Sequence, residues 1–226
     1  MKYLFVVAHP DDEVLGAGGT IGKLTGKGNS VEVCILSGEA GARKNRPETE
    51  KLNQDIVGCN KILGVKRVFL GSFPNIEFNC VPHLKLVQFI EKILTITQAD
   101  IIFTHHPSDL NNDHYHTSVA CQAAVRLFQR NSTINPIKEL NYMEIPSSTE
   151  WGLNTSFQPF TPNLFVEIKE EGLNRKLKAL SQYEGVMRDY PHPRSETAIK
   201  GLAAYRGCQA GMEYAECFET VFRREI

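Results

Sequence analysis

The residues best suited to chemistry stand near the start of the chain, where His9-Pro10-Asp11-Asp12-Glu13 follows the apolar run Tyr3–Ala8. Pro10 fixes its own φ and keeps His9 out of the helical region, so the run must turn here. His9 and Asp12 are three residues apart on that turn, close enough for an imidazole and a carboxylate to converge on one point. This is a metal-ligand arrangement, with Asp11 standing between the two ligands. A single Asp at this place would read as a helix N-cap. Three adjacent acids repel one another, a cap needs only one, and a bound cation relieves the repulsion.

A catalytic zinc usually has three protein ligands and one open position for water. The third ligand is expected from residues 105–116, which hold four of the seven histidines. His114 is favoured, with Asp113 as its charge partner, and His116 is the rival. Imidazole and carboxylate ligands suit Zn2+; Fe2+ and Mn2+ are the alternatives, because such sites discriminate weakly among these ions. The ion would lower the pKa of its water. Asp11 is then the general base, and later the acid that protonates a leaving amine. The reaction class is amide hydrolysis.

The elements that must position these residues alternate along the chain. Apolar runs predict strands over Tyr3–Ala8, Val31–Leu36, Arg67–Gly71, Ala99–Thr104, Leu140–Ile145, Leu164–Ile168 and Glu216–Arg223. Helical spacing and stop signals predict helices over Val14–Lys27, Glu48–Leu63, Leu84–Ile96, Thr117–Gln129, Glu170–Met187 and Glu196–Arg206. Alternation of this kind predicts βαβ units and a mostly parallel, doubly wound α/β sheet. The handedness of such crossovers places the strand-end loops on one edge, so residues 9–13, 37–43 and 105–116 should meet. Residues 146–162 read as a lid or wall.

Bulk properties narrow the function. At 226 residues and 42% hydrophobic content, one α/β domain over 1–226 is the expectation. A net charge of −1 gives no footprint for nucleic acid. No signal peptide is expected, and no apolar run approaches the about 20 residues of a membrane span. The six cysteines form no Cys-x-x-Cys and read as reduced, which implies a cytoplasmic protein. A homo-oligomer is left open. Gly16-Ala17-Gly18-Gly19 is a weak dinucleotide motif, because acids stand where a pyrophosphate would sit. A metal-dependent phosphohydrolase is a second rival, and the histidines argue against its Mg2+; a non-catalytic metal- or sugar-binding module is a third, and the presence of Asp11 argues against it.

The segments Ala8–Glu13, Leu36-Ser37-Gly38-Glu39, Asp109–His114, Pro146–Trp151, Pro191–Ser195 and Tyr214-Ala215-Glu216 resemble the PIG-L (LmbE-like) family of zinc-dependent N-acetyl-sugar deacetylases. The resemblance implies a Rossmann-like three-layer α/β/α fold. It implies His9, Asp12 and His114 as ligands, Asp11 as base, and a small N-acetylglucosamine-type substrate. A non-sugar N-acyl compound is the alternative substrate. Many members carry a His three residues before the third ligand; here that position is Asn111. Asn111 donates a hydrogen bond but no charge, so His192 or His116 is expected to supply the cation. Arg43 and Arg194 are expected to hold a phosphate or carboxylate of the substrate.

Overall fold

The computed structural model describes residues 1–39, 48–153 and 158–225. Arg43 lies outside the described residues. Strands β1 (Lys2–Val7), β2 (Ser30–Ile35), β3 (Arg67–Leu70), β4 (Ile101–His105), β5 (Glu139–Met143), β6 (Leu164–Glu167) and β7 (Ala215–Arg223) form one sheet among these residues. Their order is β3-β2-β1-β4-β5-β7-β6. Strands β1 to β5 run parallel, and β7 is antiparallel to both β5 and β6. The helices are α1 (Asp12–Gly26), α2 (Thr49–Leu63), α3 (His83–Thr97), α4 (Asn112–Ala124), α5 (Lys169–Leu180) and α6 (Glu196–Gln209).

Strand β1 shows why the sheet is covered on both sides. Its side chains alternate across the strand. Phe5 and Val7 join a core with residues of α1, α2, α5 and α6, whereas Leu4, Val6 and Ala8 join a core with α3 and α4. A run apolar at every position serves a parallel sheet buried between two helical layers. This is the three-layer, mostly parallel architecture that the alternation predicts. Strand order reverses between β1 and β4, and ligands of open α/β sheets bind in the crevice at such a switch point. Strand β1 delivers His9 to that crevice, and β4 delivers residues 105–116.

Several helix boundaries differ from expectation, and two of them bear on the site and the core. Helix α4 begins at Asn112 rather than Thr117, because the Asn111 side chain accepts the Asp113 N–H as an N-cap. His114 and His116 therefore lie on the helix itself. Helix α5 stops at Leu180, yet Tyr183 and Val186 remain buried. Their periodic spacing continues into turns, which apolar spacing alone does not distinguish from helix.

Helix α1 is broken at Ala17, whose φ of −148° and ψ of 17° are not helical. A break frees backbone groups that must find other partners. The amides of Gly19 and Thr20 donate to Glu216 Oε1 and Oε2 at 3.0 and 2.7 Å. The Leu15 carbonyl accepts from Lys176 Nζ at 2.8 Å, and Lys176 pairs with Glu216 at 2.8 Å. A buried ion pair from α5 and β7 thus takes up the groups that the kink releases. The glycines around the break permit close approach: a Cβ on Gly16 would lie 2.8 Å from Ile145 Cδ1, and one on Gly19 2.8 Å from Ile168 Cδ1.

Candidate metal centre

His9, Asp12 and His114 come together beyond the ends of β1 and β4, all buried. Asp12 Oδ2 lies 3.4 Å from His9 Nδ1 and 3.2 Å from His114 Nε2. The same oxygen accepts the His9 backbone N–H at 2.9 Å. Both ring nitrogens of His114 are buried and neither meets hydrogen-bond geometry with a described residue, although each lies close to a carboxylate oxygen. Each imidazole is backed by a carboxylate on its other nitrogen. His9 Nε2 is 2.9 Å from Asp113 Oδ2, and His114 Nδ1 is 3.0 Å from Asp109 Oδ2. Carboxylates in that position fix the orientation of a metal-binding imidazole and raise its basicity.

The donor set fits a zinc-sized ion. Donors held by a tetrahedral ion at about 2.0–2.1 Å lie about 3.3 Å from one another. The two measured ligand–ligand separations bracket that value. His105, Asp109 and His114 form a second cluster of donors. It is the weaker candidate, because His105 Nε2 is already occupied as acceptor of the Ala8 N–H at 2.8 Å. Burial and the charge on His114 push His105 down to about 3, so it is a neutral ring stacked on His114 at 3.8 Å.

The charges at the site are strongly coupled. Burial disfavours the charged form of His114, but Asp12 and Asp109 outweigh it and raise its pKa to about 10. Burial likewise opposes charge on Asp12, yet His114 and His9 hold its carboxyl well below the usual range. Without an ion, the imidazoles neutralise the carboxylates by carrying protons, and a metal must displace those protons to bind.

Asp11 follows in the left-handed region, at φ 100°. Its amide donates to Glu13 Oε2 at 3.1 Å, and Glu13 Oε1 accepts from Tyr183 Oη at 2.7 Å and Asn60 Nδ2 at 3.1 Å. Burial pushes Glu13 up to about 7. Arg194 Nη1 reaches Asp11 Oδ2 at 3.3 Å.

The other expected site residues fall as follows. Asp113 partners His9 rather than His114, and also accepts the Ile76 and Phe78 amides at 2.6 and 2.9 Å. The Asn111 carbonyl oxygen is engaged as the α4 cap. His192 is exposed and its Nδ1 accepts the Arg194 amide at 3.0 Å. His116 is half-buried near Asp113 and His83, and burial lowers its pKa. Neither makes a described hydrogen bond or ion pair to Asp12 or His114. Arg194 brings a guanidinium to the site, where it faces the Asp11 carboxylate of the protein itself. Of the second strand's loop, Ser37 N–H donates to Ala8 O at 2.9 Å, so that strand end lies against the first. Sequence reasoning missed Asp109 as the partner of His114. Its signal was a carboxylate at a loop turn, five residues before a histidine, and many loops carry that.

Fold and cluster define a class: α/β proteins that gather two imidazoles and a carboxylate at the switch point of a parallel sheet. The family described as PIG-L, GlcNAc-PI de-N-acetylase, matches residues 4–125, and the chain belongs to this family. Diacetylchitobiose deacetylase of Thermococcus kodakarensis is 27% identical over 243 residues, covering 95% of this chain and 81% of that protein. The solved N,N'-diacetylchitobiose deacetylase of Pyrococcus horikoshii superposes with a TM-score of 0.80 at 22% identity, over 97% of this chain and 83% of that one. GalB of Pseudomonas putida, a 4-carboxy-2-hydroxymuconate hydratase, superposes with a TM-score of 0.79 at 21% identity, over 100% of this chain and 98% of that one. One fold therefore carries more than one reaction, and the site has to decide the chemistry. Among the described residues, no helix is long and apolar enough to cross a membrane.

Proposed function

We propose that this chain, acting as one domain over residues 1–226, is a zinc-dependent N-deacetylase. Its substrate would be an N-acetylglucosamine-type sugar or a small conjugate of one. The observation that carries this reading is the cluster of His9, Asp12 and His114 with Asp11 beside it, in a chain of the de-N-acetylase family. His9, Asp12 and His114 would hold the ion. A zinc ion bound there would supply a water of lowered pKa and an electrophile for the acetyl carbonyl. Asp11 takes a proton from the attacking water as its oxygen bonds to the carbonyl carbon. Asp11 then returns that proton to the nitrogen as the C–N bond breaks, which releases a free amine and acetic acid, and the acid ionises to acetate in water. Asp109 and Asp113 hold the two imidazoles in place throughout. A cavity of about 500 Å3 is lined by residues of the loops after β4 and β5, among them Ser108, Pro146 and Thr149, and by Leu202 of α6; it would take the rest of a conjugate. All six cysteines are unpaired, in keeping with a cytoplasmic site of action.

The test is a release assay on zinc-loaded protein. N-acetylglucosamine, diacetylchitobiose, a non-sugar N-acetyl amine and a sugar phosphate are supplied in parallel. Acetate from the sugars, lost about 10²–10⁴-fold in Asp11→Asn, is the expected result. Acetate only from the non-sugar amine moves the substrate class. Phosphate release without acetate overturns the proposal.

A further inference from the structure

Asp11 and Ser147 are both non-glycine residues in the left-handed region, at φ 100° and 76°. Strained backbone of this kind persists only where the surroundings over-determine it, and it concentrates at functional sites. Each strained turn is closed locally by a carboxylate. Glu13 accepts the Asp11 amide, and Glu150 Oε1 accepts the Ser147 amide at 2.6 Å. The two turns belong to distant parts of the chain, one after β1 and one after β5. A single side chain joins them: Arg194 Nε donates to Ser147 Oγ at 2.7 Å, and Nη1 donates to Asp11 Oδ2 at 3.3 Å.

The loop that carries Arg194 is itself fixed. Its amide donates to His192 Nδ1 at 3.0 Å, its carbonyl accepts the Arg188 amide at 3.4 Å, and the next residue, Ser195, caps α6 through the Ala198 amide at 3.1 Å. The guanidinium is 24% exposed and the Asp11 side chain 3% exposed, so Arg194 meets the buried carboxylate from the solvent side.

We infer that Arg194 is the positioning residue for the catalytic base. Its planar fork ties Asp11 to Ser147, engages Oδ2, and so fixes the direction in which the Asp11 carboxylate faces the reacting water. This rests on the reading of Asp11 as general base. Arg suits the task because a guanidinium offers donors in a rigid fork, whereas a Lys ammonium is a point charge that cannot hold both partners in register. Proton transfer is sensitive to small displacements of the base, so the expected losses are in turnover.

Kinetics on zinc-loaded protein test this. Arg194→Ala is expected to lower kcat about 10–100-fold with KM within about twofold and zinc content unchanged. Arg194→Lys recovers part of that loss. Ser147→Ala, which keeps the cation and removes its tether, lowers kcat by less, again without a rise in KM. A raised KM with kcat unchanged would mean that Arg194 binds substrate, and overturns the inference; so does a loss of zinc. A second measurement needs no substrate. The Arg194 Nε–H proton, followed by NMR in 15N-labelled protein, is expected to exchange slowly and to lose protection in Ser147→Ala. Its neighbour Nη1 contact predicts a shift of the same signal in Asp11→Asn. If neither variant moves the signal, the inference fails. If wild type releases no acetate, the deacetylase reading fails and the NMR result alone decides the role of Arg194.

Discussion

His114 Nδ1 lies 3.0 Å from Asp109 Oδ2, and that carboxylate is held in turn by the hydroxyls of Ser148 and Thr149. The third candidate ligand is thus oriented by a chain of contacts that runs from α4 through the loop after β4 to the turn after β5. Removing an orienting carboxylate behind a ligand typically lowers metal affinity 10–100-fold. Asp109→Ala is expected to weaken zinc binding by about that factor, measured by competition with a chromophoric chelator. His114→Ala is expected to leave the purified protein with little or no bound zinc. Unchanged affinity in Asp109→Ala would show that His114 needs no such support.

Zinc uptake is expected to release protons. In the metal-free protein His114 is raised to about 10 by Asp12 and Asp109 against the opposing effect of burial, so it is charged at pH 8. Its raised value adds stability to the metal-free fold that is complete below its ordinary pKa and is lost as pH rises through about 10. Binding must discharge this ring. Apparent affinity is therefore expected to rise about tenfold per pH unit from pH 7 to 9. Calorimetry in two buffers of different ionisation enthalpy reads the proton count directly. A count of zero at pH 8 would contradict the charge assignment.

Asp11 combines the proposed base with a backbone that disfavours it. Glycine adopts φ 100° without the clash that a Cβ incurs, a relief of about 1–2 kcal/mol. The Arg194 partner is 24% exposed, so solvent screens its attraction for the buried carboxylate, and the ion pair is expected to offset only part of this. Asp11→Gly is expected to melt about 2–4 °C higher than wild type while losing acetate release. A lower melting temperature in Asp11→Gly would mean that the contacts of the carboxylate outweigh the strain.

The kink in α1 makes Glu216 a stability residue far from the metal cluster. Glu216→Ala strands the Lys176 ammonium in a buried setting and leaves two amides unmet. The expected loss is about 3–5 kcal/mol, read as a drop of about 10 °C in thermal melting. The pair Glu216→Gln with Lys176→Met keeps an acceptor for the amides and removes the buried charge, so it is expected to lose less than Glu216→Ala alone. If the double variant is the worse of the two, charge rather than amide acceptance governs the kink.

The sequence by itself determined the alternation of strand and helix, the mostly parallel sheet and the first turn of the site. Those are local properties: period-two and period-3.6 apolar spacing, and a proline that ends β1 beside His9. It also brought residues 105–116 to the same edge, because crossover handedness leaves few topologies. Only the tertiary structure decided which carboxylate stands behind which imidazole. Asp113 looked like the partner of its neighbour His114, but adjacent helical residues point in different directions, and it serves His9 from across the crevice. Asp109 serves His114 instead. The role of Glu216 was equally invisible, since its partners are amides freed by a kink nearly the whole chain away. Arg194 was legible as a cation worth noting. That it faces Asp11 depends on how the loop before α6 folds back over the turns after β1 and β5, and sequence spacing carries no record of such long-range closures.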